Sequence, residues 1–248
     1  MNYQNGLIVL KVGGSAIADK NTGKSYLDVV AANVASDIPK NARMVIVCGA
    51  SYVGHSLAIK YRLSKLESNQ HEWALLRYEV GSITNRIIEK MIDAGHAPIE
   101  LSVPTLFNTK KQQIIRFNFE YVSGYLNNGF IPVMHSDAPL DEENGISILS
   151  GDAIATEIAK TFGAALLIYG TDVDGILDKE RKPIPKIDKK HLENIEFWKV
   201  KNDVSGGIRN KIEEAKKLEG TKVRIINLRK TGMLRAAIEN KDVGTLIE

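Results

Sequence analysis

Cysteine is almost absent: Cys48 is the only one among 248 residues. A lone thiol excludes an internal disulfide framework and any metal site built on several cysteines. It closes an apolar run, which suits a buried, inert side chain. Long hydrophobic stretches are missing as well. No run approaches the ~18 apolar residues of a membrane-spanning helix, and residues 1–6 lack the basic-then-apolar form of a secretion signal. A cytoplasmic protein with no membrane partner is expected. Nor is there an excess of charge of one sign, since 33 basic and 30 acidic side chains leave only +3. Lysines adjoin only at Lys110-Lys111, Lys189-Lys190 and Lys216-Lys217. No aromatic pattern of the RNA-binding kind accompanies them, so nucleic acid is not an expected partner.

What is present is the composition of an ordinary globular chain, 44% hydrophobic and 25% charged, long enough for one large α/β domain or two tightly joined lobes. Leu7-Ile8-Val9-Leu10 reads as a buried strand that runs into the glycine turn Lys11-Val12-Gly13-Gly14-Ser15. A helical stretch follows from about Tyr26 to Ile38. Met44-Val45-Ile46-Val47-Cys48 is a second strand, ending at Gly49-Ala50-Ser51. Two strands that each close in Gly/Ser, with a helix between them, make a βαβ unit and hence a parallel sheet with helices on its faces.

The longest helical pattern runs from His71 to Ala94. Further strands are read at Pro98–Leu101, Ile114–Phe117, Phe130–Met134, Ala165–Tyr169, Val223–Asn227 and Gly244–Ile247. Helices are read at Phe119–Asn127, from Ser150-Gly151-Asp152 to about Thr161, and from Ile208 to Leu218. Asp141 to Gly145 is a turn between short strands, and Lys179 to Val200 is polar and irregular. Ligands of an open parallel sheet sit beyond the carboxyl ends of its strands, so the Gly-rich turns are where function is expected.

Five stretches carry candidate chemistry, and each also has a plain structural reading. In Lys11-Val12-Gly13-Gly14-Ser15, glycines let backbone N–H groups approach phosphate oxygens and Lys11 can neutralise a phosphoryl group; the plain reading is a tight strand-to-helix turn. The pattern is neither a Walker A loop nor a dinucleotide fingerprint. In Gly49-Ala50-Ser51-Tyr52-Val53-Gly54-His55, Ser51 and the amides can hold an anion and His55 can bind an acceptor phosphate; alone, His55 is a structural or surface histidine. Asp152 is either a helix N-cap or a carboxylate that orients lysines. Thr171-Asp172-Val173-Asp174-Gly175 lacks the distant glutamate of a calcium loop and fits a turn facing a nucleotide. Asn202-Asp203-Val204-Ser205-Gly206-Gly207-Ile208, followed by Lys211, is a helix cap or a phosphate site.

Their joint order resembles the amino acid kinase superfamily from Leu10 to Ile247, and most of all its isopentenyl phosphate kinase branch, which includes fosfomycin-phosphorylating kinases. The resemblance implies a single domain over 1–248 with a three-layer αβα sandwich and a mainly parallel central sheet. Residues 1–145 would form an acceptor-binding lobe and 146–248 an ATP-binding lobe. Lys11 would contact the transferring phosphoryl group, Gly13, Gly14 and Ser15 would lie along the phosphates, and Lys20 would sit near the γ-phosphate. Gly49, Ala50, Ser51, Gly54 and His55 would hold the acceptor's phosphate. Asp152 would orient the lysines, Thr171, Asp172, Asp174 and Gly175 would border the nucleotide, and Gly206, Gly207 and Lys211 would reach the ATP phosphates. ATP with Mg²⁺, a small phosphorylated acceptor and a homodimer are implied, with isopentenyl phosphate the leading acceptor.

Two stretches depart from the family pattern. Cys48-Gly49-Ala50-Ser51 replaces a histidine followed by glycines, and Ala50 and Ser51 add side chains where glycine allows either sign of φ and close approach to phosphate. His135-Ser136-Asp137 replaces the common Tyr-Gly-Asp. Both lie on the acceptor side. They keep open a same-branch kinase for another phosphate, phosphonate or carboxylate, such as a mevalonate phosphate, and a nucleotide- or oxyanion-binding protein without turnover. Leu76, Val80 and Ile83 are candidates for an apolar acceptor wall, although their spacing also suits plain core. Arg77 or Arg86, if turned to the pocket, would favour a doubly anionic acceptor.

Overall fold

The protein is described by a computed structural model covering residues 6–19, 21–67, 69–194 and 207–248. Lys20, residues 202–205 and Gly206 lie outside the described residues.

β1 (Ile8–Val12) is buried along its whole length. It leads through the single-turn α1 (Gly14–Ile17) to α2 (Leu27–Asp37) and back to β2 (Met44–Cys48). α3 (Ser51–Lys60) and the 24-residue α4 (Gln70–Asp93) follow. β3 (Pro98–Glu100), α5 (Val103–Leu106), β4 (Phe107–Lys110), β5 (Gln113–Phe117) and α6 (Phe119–Asn127) lead to β6 (Ile131–His135). β7 (Leu140–Asp141) and β8 (Gly145–Ile146) precede α7 (Gly151–Thr161) and β9 (Leu166–Thr171). β10 (Lys186–Ile187), a 3-10 turn at Lys189–Asn194, α8 (Gly207–Lys216), β11 (Lys222–Asn227), α9 (Met233–Ile238) and β12 (Thr245–Ile247) complete the described chain.

The central sheet has eight strands in the order β10-β12-β11-β9-β1-β2-β6-β3, and β4, β5, β7 and β8 form a separate small sheet. Neighbours in the central sheet are parallel except β11 and β12. Side chains alternate across a strand, and β1 shows the consequence. Ile8, Leu10 and Val12 pack with α2 and α4 residues such as Val30, Val34 and Ile87 on one face. Val9 packs on the other with Ile154 and Ile158 of α7. A strand that feeds two cores must be apolar at nearly every position, which is why β1, β2 and β9 read as continuous runs. The result is the expected three-layer αβα sandwich around a mainly parallel sheet. None of the described helices is long and apolar enough to cross a membrane.

Candidate active site

β1 lies between β2 and β9, so the turns at Gly13-Gly14, Gly49-Ala50 and Thr171-Asp172 emerge side by side on one rim of the sheet. Gly13 N–H donates to Gly170 O at 2.8 Å and Gly49 N–H donates to Val12 O at 2.8 Å, tying the three strand ends together.

Lys11 projects from the end of β1 and Lys211 from the second turn of α8, and both reach Asp152. Lys11 Nζ is 2.7 Å from Asp152 Oδ1 and Lys211 Nζ is 3.1 Å from Oδ2. The lysine side chains are each 9% exposed and the carboxylate 15%. The Lys211 contact is a well-formed hydrogen bond, whereas the Lys11 contact is an ion pair whose angles fall short of one. Burial pushes the Asp152 carboxyl up, but Lys11 and Lys211 together outweigh it and hold the group at about 2. The carboxylate is therefore ionised at neutral pH. Buried charges persist only when paired, and here one carboxylate is shared by two lysines.

Asp152 is free for this role because Ser150 caps α7. Its Oγ accepts from Ala153 N–H at 3.2 Å, so the plain N-cap reading of Asp152 does not hold. A carboxylate in the first turn of a helix is also favoured by the helix dipole. Beneath Lys211 lies the ring of Tyr169, whose centre is 5.5 Å from Nζ. Its hydroxyl lies 3.1 Å from Thr156 Oγ1. Burial raises the phenol well above its ordinary range, so Tyr169 offers Lys211 a neutral platform.

The first two glycine turns touch. A Cβ on Gly14 would stand only 2.8 Å from Ser51 Cα, so that approach needs glycine. Ser51 is buried and adopts φ 57°, in the left-handed region. Ala50, by contrast, has φ −68° and ψ −5°, which any residue takes. Of the two departures from glycine in this loop, only Ser51 sits where glycine's freedom is used.

Gly54 faces α4. A Cβ there would lie 2.6 Å from Ala50 Cβ and 3.0 Å from Val80 Cγ2. Leu76 and Val80 belong to a small apolar cluster with Trp73, Leu63 and Ala138, flanked by Ala50 and Leu57. Ile83, a candidate for the same wall whose spacing also suited plain core, packs in the main core with Ile87 and Met91. His55 is exposed on α3. Arg77 donates from Nε and Nη2 to the two carboxylate oxygens of Asp137, at 2.7 and 3.2 Å. Arg86 pairs with Asp28 and Glu89. Ser136, in the departing His-Ser-Asp stretch, donates N–H to Cys48 O at 2.9 Å and accepts from Gly151 N–H at 2.8 Å. It thereby fastens β6 to the start of α7.

On the other side, Thr171 Oγ1 lies 3.1 Å from Ile226 O and accepts from Val173 N–H. Asp174 is held by Asn227 Nδ2 at 3.0 Å and Lys230 Nζ at 2.7 Å, and Lys230 lowers its carboxyl pKa. Asp172 is exposed and Gly175 is buried. Gly207 opens α8 one turn before Lys211. The structure therefore gathers Lys11, Gly13, Gly14, Gly49, Ser51, Asp152 and Lys211 into one locus and sets the Thr171–Gly175 turn on the same rim. Sequence reasoning passed over Tyr169 and Ser136 as parts of this site. Tyr169 reads simply as the last residue of an apolar strand, whereas Ser136 stood in a stretch whose departure from pattern marked it.

A rim of parallel strands with two touching glycine turns and a nearly buried lysine pair has the chemistry to receive phosphate-bearing ligands. Comparison with known proteins agrees. The model of the amino acid kinase family matches residues 6–227. An isopentenyl phosphate kinase of Methanocaldococcus jannaschii is 31% identical over 230 residues, covering 85% of this chain and 87% of that protein. One of Thermoplasma acidophilum is 29% identical over 222 residues, covering 87% and 88%. The crystal structure of the T. acidophilum isopentenyl phosphate kinase product complex superposes with a TM-score of 0.79 at 23% identity, covering 98% of this chain and 100% of that one. The chain belongs to the amino acid kinase family.

Proposed function

We propose that this protein is an ATP-dependent kinase that transfers the γ-phosphoryl group of ATP to the phosphate of isopentenyl phosphate, giving isopentenyl diphosphate and ADP. The observation that carries the reading is the pair of nearly buried lysines on one ionised carboxylate, set against two touching glycine turns. The similarity to isopentenyl phosphate kinases over most of the chain supplies the acceptor.

Phosphoryl transfer through a loose transition state asks for positioning and positive charge rather than covalent chemistry. Lys11 and Lys211 provide the charge, and Asp152 fixes both ammonium groups so that little reorganisation is needed as charge builds on the transferring group. Gly13, Gly14 and Ser15 lie along the transferred phosphate. Gly49, Ala50, Ser51, Gly54 and His55 hold the acceptor phosphate, with Leu76, Val80 and Trp73 beside its hydrocarbon tail. Thr171, Asp172, Asp174, Gly175, Gly206 and Gly207 border the nucleotide, and Lys20 completes the charge near the γ-phosphate. The acceptor half is then residues 1–145 and the nucleotide half 146–248. An acceptor phosphate is already anionic at neutral pH, so no strong general base is required.

Mg²⁺ would shield phosphate charge. No group of three His, Cys, Asp or Glu side chains among the described residues can hold a metal, and Asp152 is already engaged by two lysines, so the ion would be held chiefly by the nucleotide's own phosphates. A homodimer and a cytoplasmic setting belong to the same reading.

A second reading, a same-branch protein with another acceptor or without turnover, is favoured by Ser51, whose left-handed backbone and added side chain lie in the acceptor loop. Product formation from ATP and isopentenyl phosphate tests the two. The wild type should turn over and Lys11→Ala should lose at least about a hundredfold in kcat while remaining folded. Near-native rates in Lys11→Ala would place the phosphoryl site elsewhere. ATP binding without transfer would support the second reading.

A further inference from the structure

We propose that Arg229 is a positioning residue for the nucleotide-phosphate turn, joining that turn to the nucleotide side of the molecule; this rests on the reading that Gly13, Gly14 and Ser15 run along the phosphates of ATP. The first glycine turn opens a helix only four residues long. So short a helix leaves carbonyls without intrahelical donors and cannot hold its own orientation by cooperativity. Asp19 N–H, which a longer helix would direct back to Ser15, goes instead to Lys24 O.

Arg229 fills this gap. Its Nε donates to Ala16 O at 3.0 Å and its Nη2 to Ser15 O at 2.6 Å. The guanidinium carbon lies 3.8 Å from the centre of the Tyr26 ring. Tyr26 in turn donates its N–H to Ile17 O at 2.6 Å, on the same short helix. The planar group is thus fixed by two carbonyls at its edge and an aromatic face, a task lysine cannot perform. Asp19, close by, has its carboxyl pKa lowered, first by the N–H groups of Thr22 and Asn21 and also by Arg229.

The other end of Arg229 is fixed with equal care. It lies two residues past the end of β11, and its N–H donates to Asn227 Oδ1 at 3.0 Å. The same Asn227 holds Asp172 O and Asp174 Oδ1 through Nδ2. Leu228 N–H donates to Thr171 O at 2.9 Å. Thr171, Asp172 and Asp174 of the Thr171–Gly175 turn and the first glycine turn are therefore linked through one short segment. A ligand that touches both turns requires their spacing to be held. Arg229 touches backbone rather than reacting atoms, so its effect is on geometry, where displacement of about 1 Å can cost up to about a hundredfold in rate.

The test uses the full chain. Kinetic constants for ATP and isopentenyl phosphate, ATP affinity by calorimetry and thermal midpoint are measured for wild type, Arg229→Ala and Arg229→Lys. Arg229→Ala should raise both the KM and the dissociation constant for ATP by about tenfold and lower kcat by a similar factor, leaving the acceptor KM within about twofold. Guanidinium ion well below denaturing concentration should restore part of the loss. Arg229→Lys should remain impaired and gain nothing from added guanidinium. If Arg229→Ala does not fold, Arg229→Lys alone decides, and wild-type ATP affinity in it would overturn the proposal. Equal losses for both substrates, or a loss explained by a lower thermal midpoint and not restored by guanidinium, would also overturn it. A wild type without turnover whose ATP affinity still depends on Arg229 would leave this inference standing and remove the acceptor assignment.

Discussion

Burial raises the Asp152 pKa, yet Lys11 and Lys211 outweigh it and keep the group ionised with a pKa of about 2. Because its folded pKa is depressed below 3.8, the stabilisation is present above that value and disappears as pH falls through about 2. Asp152→Asn removes the carboxylate that the two nearly buried lysines share. It should cost about 3–5 kcal/mol in denaturant unfolding and lower kcat by about a hundredfold or more. Wild-type stability would refute the coupling. Ser51 makes a second case at this scale. A left-handed backbone costs a non-glycine residue roughly 1–2 kcal/mol, while glycine gives back about 0.5–1 through its freer unfolded chain. Ser51→Gly should therefore be neutral to stabilising by at most about 1.5 kcal/mol. Ser51→Val, β-branched, should be clearly destabilised, and equal midpoints for the two variants would show that the strain is not real.

The residues of the catalytic locus were legible as a motif order rather than as geometry. The three residues Ser150-Gly151-Asp152 do not by themselves say that Lys11 and Lys211 will meet on that carboxylate; the family resemblance supplied that expectation, and the structure shows the contacts. Arg229 was invisible for a related reason: its partners are backbone carbonyls, which carry no residue signature.

Among the elements, α3 and α4 would form the acceptor side in the proposed reading. Gly54 lets α3 lie against Val80 and Leu76. Gly54→Ala should force the helices apart, costing about 1–3 kcal/mol as overpacking does and raising the acceptor KM while leaving that for ATP unchanged. An unchanged acceptor KM would detach this helix pair from acceptor binding. The long periodic elements were readable, since β1, β2 and β9 are continuous apolar runs and α4 shows seven turns of pattern. Of the short ones, β3, β5 and β12 were read, but others were not. α5, α9, β4 and β10 have two to six residues each, too few for any period to repeat, and they form because neighbouring strands and helices complete their hydrogen bonds. Ile83 shows a different limit: spacing left both a core and a wall reading open, and the structure puts it in the core. Its helical spacing was right, but spacing alone does not separate a wall facing a pocket from one facing the sheet.

For the whole molecule, carboxylates with lowered pKa values tie distant parts of the chain together. Asp152 joins α7 to β1 and α8. Glu248, held at about 2 by Lys186 and then Lys222, joins the C-terminus to β10 and β11. In Asp141, burial is outweighed by the Gln112 and Asn144 N–H groups, the Thr109 hydroxyl and the Glu143 N–H, which lower its pKa and pin the small sheet. Each contributes above the ordinary carboxylate range and loses its contribution as pH falls toward 2. Urea midpoints should accordingly be flat from neutral pH to about 5 and fall steeply below about 4. A midpoint that held steady down to pH 3 would contradict this. The glycine-turn rim, the lysine pair and the family resemblance converge on phosphoryl transfer to a phosphate. The measurement that tests this most directly is the ³¹P spectrum of ATP and Mg²⁺ incubated with isopentenyl phosphate and the protein. The account predicts loss of the monophosphate signal with matching growth of ADP and a new diphosphate pair. Unchanged monophosphate, with ATP bound but intact, would contradict it.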